Sequence, residues 1–276
     1  MIKIIADSTC DLSPVEAEAL GVTIIPMKIL IDEKEYTAGV NLTPEEFYEK
    51  LANCKKLPQT TLITDFEYEE TIKSAMKQND EVFVMCLSSE LSGSFNNLQR
   101  VYAEINSPKL EIYDTKSVTF EYSAIVYEAV KLSKLCKTAK ELKEKLQKAV
   151  EKLRLIAVVD NVKYLIKGGR LSLMKGLAVT ALNIKPVLTI KDGKLSVISK
   201  GIGYQMACRN LVKEIKELDT TKPVYFGHSN DETKLNIVKN CVKERFEIKT
   251  SKTCIVGAVI GTHTGPGCAG IVYFEK

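Results

Sequence analysis

Three hydroxyl-rich clusters and one histidine carry most of the chemistry this chain offers. Gly261-Thr262-His263-Thr264-Gly265-Pro266-Gly267 sets one of the two histidines between two threonines. Thr60-Thr61 supplies a second pair of hydroxyls, and Ser88-Ser89-Glu90-Leu91-Ser92-Gly93-Ser94 supplies four more. Hydroxyls and a neutral imidazole donate hydrogen bonds without adding charge, which suits the binding of a carboxylate or phosphate. A serine and a histidine also suit nucleophilic catalysis, so a hydrolase built on Ser94 and His263 is the alternative chemistry. No G-x-S-x-G elbow surrounds Ser94, and no acid stands out as a third member. Neither a P-loop nor G-x-G-x-x-G occurs, so nucleotide binding has no motif behind it.

Each cluster also has a plain structural use. Ser92 or Ser94 serves as a helix N-cap, Asp7-Ser8-Thr9 as a cap, Thr60-Thr61 as a loop, and the glycine-rich stretch as a turn. The elements around them decide. Ile2–Ala6 reads as an apolar strand, and Ser13-Pro14 with Glu16 as a capping box opening a helix to Leu20. Val22–Ile31 reads as one strand turning at Asp32-Glu33-Lys34 into Glu35–Ala38. Thr43-Pro44-Glu45-Glu46 opens a second helix to about Asn53, and Thr64-Asp65 a third to about Lys77. Lys55–Thr61 reads as a polar loop.

Glu81–Leu87 is a buried strand running into the serines, followed by a helix from about Ser94 to Ile105 and a strand at Leu110–Tyr113. Helices at about Phe120–Cys136 and Ala139–Leu153 complete an N-terminal doubly wound, mostly parallel α/β sheet over 1–154. From 155 to 276 the pattern becomes α+β. Leu155–Val159 is a strand, Lys163–Ile166 a short helix closed by Gly168-Gly169, and Ala178–Leu182 helical. Asp192-Gly193 turns a hairpin. Helices at about Gln205–Leu218 and Glu232–Glu244 surround the strand Pro223–Phe226. Apolar runs Cys254–Ile260 and Ala269–Phe274 flank the histidine segment, which its glycines and proline make a compact turn.

The chain has 276 residues, enough for one large or two modest domains. With 45% hydrophobic and 27% charged residues it reads as an ordinary globular protein. Its net charge of +4 is spread over scattered lysines, with no basic block interleaved with aromatics, so nucleic acid is not expected as a partner. The start lacks the features of a signal peptide, and no apolar run is long enough for an integral membrane segment. Eight cysteines without a C-x-x-C pair read as reduced thiols of a cytoplasmic protein. His228 and His263 lack clustered cysteine ligands, so no metal site is expected.

Taken together, the motifs resemble the DegV family over essentially the whole length. The matching stretches are Asp7-Ser8-Thr9 with Asp11-Leu12, Pro58-Gln59-Thr60-Thr61, Ser88 to Ser94, Tyr164-Leu165-Ile166-Lys167-Gly168-Gly169-Arg170-Leu171-Ser172, Asn183-Ile184-Lys185-Pro186, and Gly261 to Gly267. Members include the fatty-acid-binding subunit of bacterial fatty acid kinase. The resemblance implies a DegV-like two-domain fold that holds a long-chain fatty acid and has no catalytic residues or cofactor of its own. It implies that Thr60 or Thr61, Ser92, Gly93, Ser94, Thr262 and His263 bind the carboxylate. It further implies that Arg170 contacts the kinase or the phosphoryl group, and that the partner is the catalytic subunit of a fatty acid kinase. One departure stands out. Relatives carry an arginine near position 202, where this chain has Ile202. That substitution favours a lipid carrier or sensor working without a kinase as the second reading. Uncharged donors converging on an acidic tip are the arrangement expected.

Overall fold

A computed structural model describes residues 1–79, 81–170 and 183–276. The chain opens with β1 (Ile2–Asp7), a 3-10 turn (Ser8–Cys10), α1 (Pro14–Leu20), β2 (Thr23–Ile25), β3 (Lys28–Ile31) and β4 (Lys34–Thr37). There follow α2 (Pro44–Asn53), β5 (Gln59–Thr60), α3 (Asp65–Gln78), β6 (Glu81–Cys86), α4 (Ser94–Ile105), β7 (Leu110–Asp114), α5 (Thr119–Ser133) and α6 (Ala139–Ala149). The remainder forms β8 (Leu153–Val158), α7 (Lys163–Lys167), β9 (Ile184–Lys191), β10 (Lys194–Ile202) and α8 (Tyr204–Glu214). It closes with β11 (Val224–His228), α9 (Glu232–Lys243), β12 (Ser251–Ile255), α10 (Ala258–Thr264) and β13 (Ala269–Phe274).

Helix starts follow their sequence signals. Ser13, Thr43 and Thr64 each cap a helix in a reciprocal box with Glu16, Glu46 and Glu67, and Pro14 and Pro44 open α1 and α2. Each box satisfies two donors that a helix start leaves unpaired.

The first sheet is all parallel in the order β2-β1-β6-β7. The second has the order β10-β9-β8-β13-β11-β12 and is antiparallel except for β11 with β12. This is the mixed α/β architecture that the alternation of strands and helices indicates. Strand alternation divides the second sheet between two cores. Leu153, Leu155, Ala157 and Val159 face the core shared with the first sheet, while Ile156 and Val158 pack with α8 and α9 residues such as Leu211 and Val238. Helix α5 is buried almost throughout its first eleven residues. It packs on β1 and α6 as well as on β8, β11 and β13, so an all-round apolar surface is what its position requires.

Several sequence expectations are corrected. The run 22–31 is two strands, because Pro26 cannot donate to a ladder; β2 joins the parallel sheet and β3 a separate one. That separate antiparallel sheet, β4-β3-β5, takes Gln59 and Thr60 out of the expected loop and pairs Ile29 with Thr60. Helix α6 ends at Ala149, and Leu153 already belongs to β8. The apolar run 254–260 divides, and the segment expected as a compact turn is mostly helical. β12 stops at Ile255, and the histidine segment is helix α10 with a turn only from Gly265. The expected helix at 178–182 and the Leu171-Ser172 part of the motif lie outside the described residues.

Candidate functional site: a one-ended apolar pocket

The C-terminal ends of β1 and β6 are tied by Asp7, whose buried carboxylate accepts from Leu87 N at 2.8 Å and from Thr9 N at 2.9 Å. Ser88 is equally committed, with its hydroxyl donating to Gly193 O at 2.7 Å and its N–H to Ser117 O at 2.9 Å. These contacts fix the serine loop against the β9–β10 hairpin, and Ser92, whose Oγ accepts from Ser94 N at 3.2 Å, lines a cavity.

That cavity lies between the two large sheets. Its walls are Met27, Leu87, Val118, Phe120, Leu155, Ala157, Leu188, Ile190, Leu195, Val256, Val259 and Ile260. Its polar lining is Thr60, Thr61, Ser92, Thr119, Arg170, His263 and Thr264. Thr60 and Thr61 hang on β3, where Thr61 N donates to Lys28 O at 3.0 Å. His263 comes from α10, whose residues 259, 260, 263 and 264 form the face turned to the cavity, as a 3.6-residue period dictates. Arg170 lies three residues past the end of α7. Thr61 and Leu62 are exposed, whereas Phe120 is 2% exposed, so the cavity opens beside the threonines and, apart from Thr119, is apolar at its buried end. Its free volume is about 100 Å³.

At the mouth, Thr60 Oγ1 lies 3.3 Å from His263 Nε2. The other ring nitrogen, Nδ1, is buried without a hydrogen-bond partner. It faces Gly168, where a Cβ would stand only 2.4 Å from it. A buried N–H without an acceptor is rarer and costlier than an unfilled lone pair. The proton of the neutral ring is therefore assigned to Nε2, which points at Thr60 and the cavity. Burial, and then the charge of Arg170, lower the His263 pKa to about 4, so the ring is neutral at pH 7.

The expected site residues divide. Thr60, Thr61, Ser92, Arg170 and His263 meet at the mouth. Ser94 is fully buried; its Oγ lies 3.1 Å from Ser92 Oγ and accepts weakly from Ile63 N at 3.4 Å. Gly93 is the N-cap of α4, where a Cβ would press Leu62 Cδ1 at 3.2 Å. Thr262 turns back into its own helix and donates to Ala258 O at 2.9 Å; Thr264 takes the lining position instead. The donors are not all uncharged. Arg170 brings a guanidinium, with Nη1 on Gly168 O at 2.6 Å and Nε on Leu91 O at 3.4 Å. His263 faces a threonine rather than Ser94, and no carboxylate orients its Nδ1, so a Ser–His–acid relay is not assembled.

Sequence reasoning missed Thr119. It lines the cavity at φ +53°, a rare conformation for a β-branched residue, and its hydroxyl donates to Asp11 Oδ2 at 2.5 Å. Nothing in the local sequence marks it, because the strain is imposed by packing. Among the described residues no group of three or more His, Cys, Asp or Glu side chains could hold a metal ion, and no helix is long and apolar enough to cross a membrane.

Fold and pocket together define an α/β protein with a narrow apolar cavity closed by hydrogen-bond donors at one end. The chain belongs to the DegV family: the family model, described as "Uncharacterised protein, DegV family", matches residues 1–276. A DegV domain-containing protein of Caldanaerobacter subterraneus subsp. tengcongensis is 30% identical over 278 aligned residues, covering 100% of this chain and 99% of that protein. The crystal structure of a fatty acid binding DegV family protein from Streptococcus agalactiae matches with a TM-score of 0.87 at 26% identity, over 100% of this chain and 99% of the other. A stearic acid-binding protein from Eubacterium ventriosum matches with a TM-score of 0.84 at 24% identity, again over 100% and 99%.

Proposed function

We propose that the protein binds a long-chain fatty acid, tail inward, and presents its carboxylate at the mouth to the catalytic subunit of a fatty acid kinase, which converts it to an acyl phosphate. The observation that carries this reading is the pocket's polarity: mostly apolar walls, and Thr60 paired with His263 at one end. The fatty acids bound by the Streptococcus and Eubacterium relatives support it. Burying the 14 to 16 methylenes of a common fatty acid offers about 11–13 kcal/mol before ordering costs. The head group then needs only to avoid a desolvation penalty. Hydroxyls of Thr60, Thr61 and Ser92 and the neutral Nε2–H of His263 meet the carboxylate. Ser94 and Gly93 shape the serine loop behind Ser92, and Thr262 braces α10. Arg170 stands at the mouth as the contact for the phosphoryl group or the kinase. We further propose two units with the ligand between them, their boundary falling between α6 and β8, a few residues before the expected 154/155, because β8 starts at Leu153.

A second reading, a lipid carrier or sensor without a kinase, draws on Ile202, which is 77% exposed where the family resemblance calls for an arginine. Mass spectrometry of an organic extract of the purified protein tests the shared part. A long-chain fatty acid is expected, and its absence after expression in cells rich in fatty acids overturns both readings. Acyl phosphate formation with a purified fatty acid kinase subunit and ATP separates them.

A further inference from the structure

Both large sheets end at a groove that shares no lining residue with the pocket described above. The edge strand of the first sheet, β2, and the edge strand of the second, β12, border it together with α1 and the segment leading into α2. Its volume is about 650 Å³, and Leu12, Val22, Ile24, Val40 and Ile255 make much of its wall apolar. Val40 stands 73% exposed at its rim.

Four carboxylates line this groove, Asp11, Glu16, Glu18 and Glu45, and among the described residues no Lys, Arg or His does. That is a local excess of acid in a chain whose net charge is +4. Glu16 is committed to Ser13 and Tyr127. Glu18 and Glu45 are exposed and form no ion pair with any described residue. Asp11 Oδ2 accepts from Thr119, but Asp11 Oδ1 is buried without a hydrogen-bond partner. A buried acceptor left open is costly, so it points to a donor supplied from outside. The cations nearby are engaged elsewhere. Lys239 Nζ donates to Thr253 Oγ1 at 2.9 Å, and Lys252 Nζ lies over the Tyr127 ring, 3.5 Å from its centre.

The backbone of β12 adds a further requirement. Val224 N donates to Thr250 O at 3.0 Å and Val256 N to His228 O at 2.8 Å, so the even-numbered residues of β12 carry the ladder to β11. Ser251, Thr253 and Ile255 therefore turn their N–H and C=O groups outward, and no described strand pairs with them. A free edge of this kind accepts another strand. Apolar walls ask for apolar side chains, and the unpaired carboxylates ask for cations between them.

We propose that this groove docks an extended segment of a partner protein, in which apolar residues alternate with lysine or arginine and the backbone adds a strand to the β12 edge.

The test uses the intact chain as wild type, T253P and E18K/E45K. Three blocked heptapeptides are the probes: one alternating lysine and valine, the same with glutamate for lysine, and the lysine–valine peptide N-methylated at alternate amides. Backbone amide NMR shifts locate binding, and their titration gives Kd. The lysine–valine peptide should shift Ser251, Thr253 and Ile255 and should bind more weakly as salt rises. The glutamate and N-methylated peptides should bind far more weakly. E18K/E45K should lose roughly tenfold in affinity for the lysine–valine peptide, because two attractive charges become repulsive. T253P removes one outward N–H, which an edge strand tolerates, and should lose about two- to tenfold. Should T253P fail to fold, the N-methylated peptide probes the same backbone bonding on unaltered protein. Absence of saturable binding by the lysine–valine peptide at millimolar concentration overturns the proposal, and so does equal binding of the glutamate peptide. Equal binding of the N-methylated peptide overturns it too, and would mean that the groove takes apolar amines rather than a strand.

Discussion

Thr60 and His263 lie 203 residues apart in the chain, yet Thr60 Oγ1 is 3.3 Å from His263 Nε2. Among the described residues neither side chain has another hydrogen-bond partner, and both face the same cavity. If their donors hold a carboxylate, removing either deletes a hydrogen bond to a charged oxygen. Such a bond contributes about 1.5–3 kcal/mol, or roughly tenfold to a hundredfold in Kd. Thr60→Val and His263→Ala should each weaken fatty-acid binding by that amount with the melting temperature little changed. Titration of a fluorescent fatty acid checks it, and wild-type affinity in both variants would refute the head-group assignment.

The neutrality of His263 has a pH signature. Its pKa falls from 6.5 to about 4, through burial first and the Arg170 charge second. A basic group depressed by folding contributes stability that is fully present above its unfolded pKa and is lost as pH falls through the folded one. The ligand-free protein should therefore lose stability between about pH 6.5 and 4, and His263→Gln should lose less over that window. A bound carboxylate adds the opposite charge and favours the protonated ring, so the loss should shrink with ligand present. Thermal melts at several pH values, with and without fatty acid, measure both effects.

Gly168 makes room for the histidine. A methyl group there would lie 2.4 Å from His263 Nδ1 and 3.1 Å from Tyr164 O. Gly168→Ala is thus expected to push the imidazole off Thr60, costing about 1–3 kcal/mol in stability and weakening retention further. Gly169, at φ +74° but with open space around it, predicts a different outcome: Gly169→Ala costs backbone strain alone and leaves His263 in place. Equal retention in the two variants would show that the close approach at Gly168 has no bearing on the site.

Much of this was legible in the sequence, and the failures have physical causes. Capping boxes read at Ser13 and Thr43, and the start read at Thr64-Asp65, match the helix starts at Pro14, Pro44 and Asp65, because local hydrogen bonds decide them. Strand alternation could not separate Cys254–Ile260 into strand and helix, since a run apolar on every side satisfies both periods. Read as helix, the same residues would have put Val259, Ile260, His263 and Thr264 on one face and taken Thr262 off it. The pairing of Thr60 with Ile29 is a long-range contact with no local signal, so its strand read as loop. Arg170 at the mouth and the strained Thr119 depend on how distant elements pack, and motif order alone does not convey that.

Glu121 extends the pH argument with the opposite sign. It lies on α5 at the junction of the two large sheets, 7% exposed, with Ser117 Oγ donating to its Oε2 at 2.5 Å. Burial raises its pKa from 4.5 to about 7, against the hydrogen bond from Ser117, the charge of Arg154 and the backbone of Leu155. An acid raised by folding contributes stability that is fully present below its unfolded pKa and is lost as pH rises through the folded one. The loss therefore falls between about pH 4.5 and 7, and its upper limit is about 3 kcal/mol. Glu121→Gln keeps an acceptor for Ser117 and cannot ionise. It should be more stable than wild type at pH 8 and no more stable at pH 5. Urea unfolding at the two pH values decides. A variant destabilised equally at both would mean that the carboxylate is held charged by Arg154 and that the sheets are joined there by an ion pair.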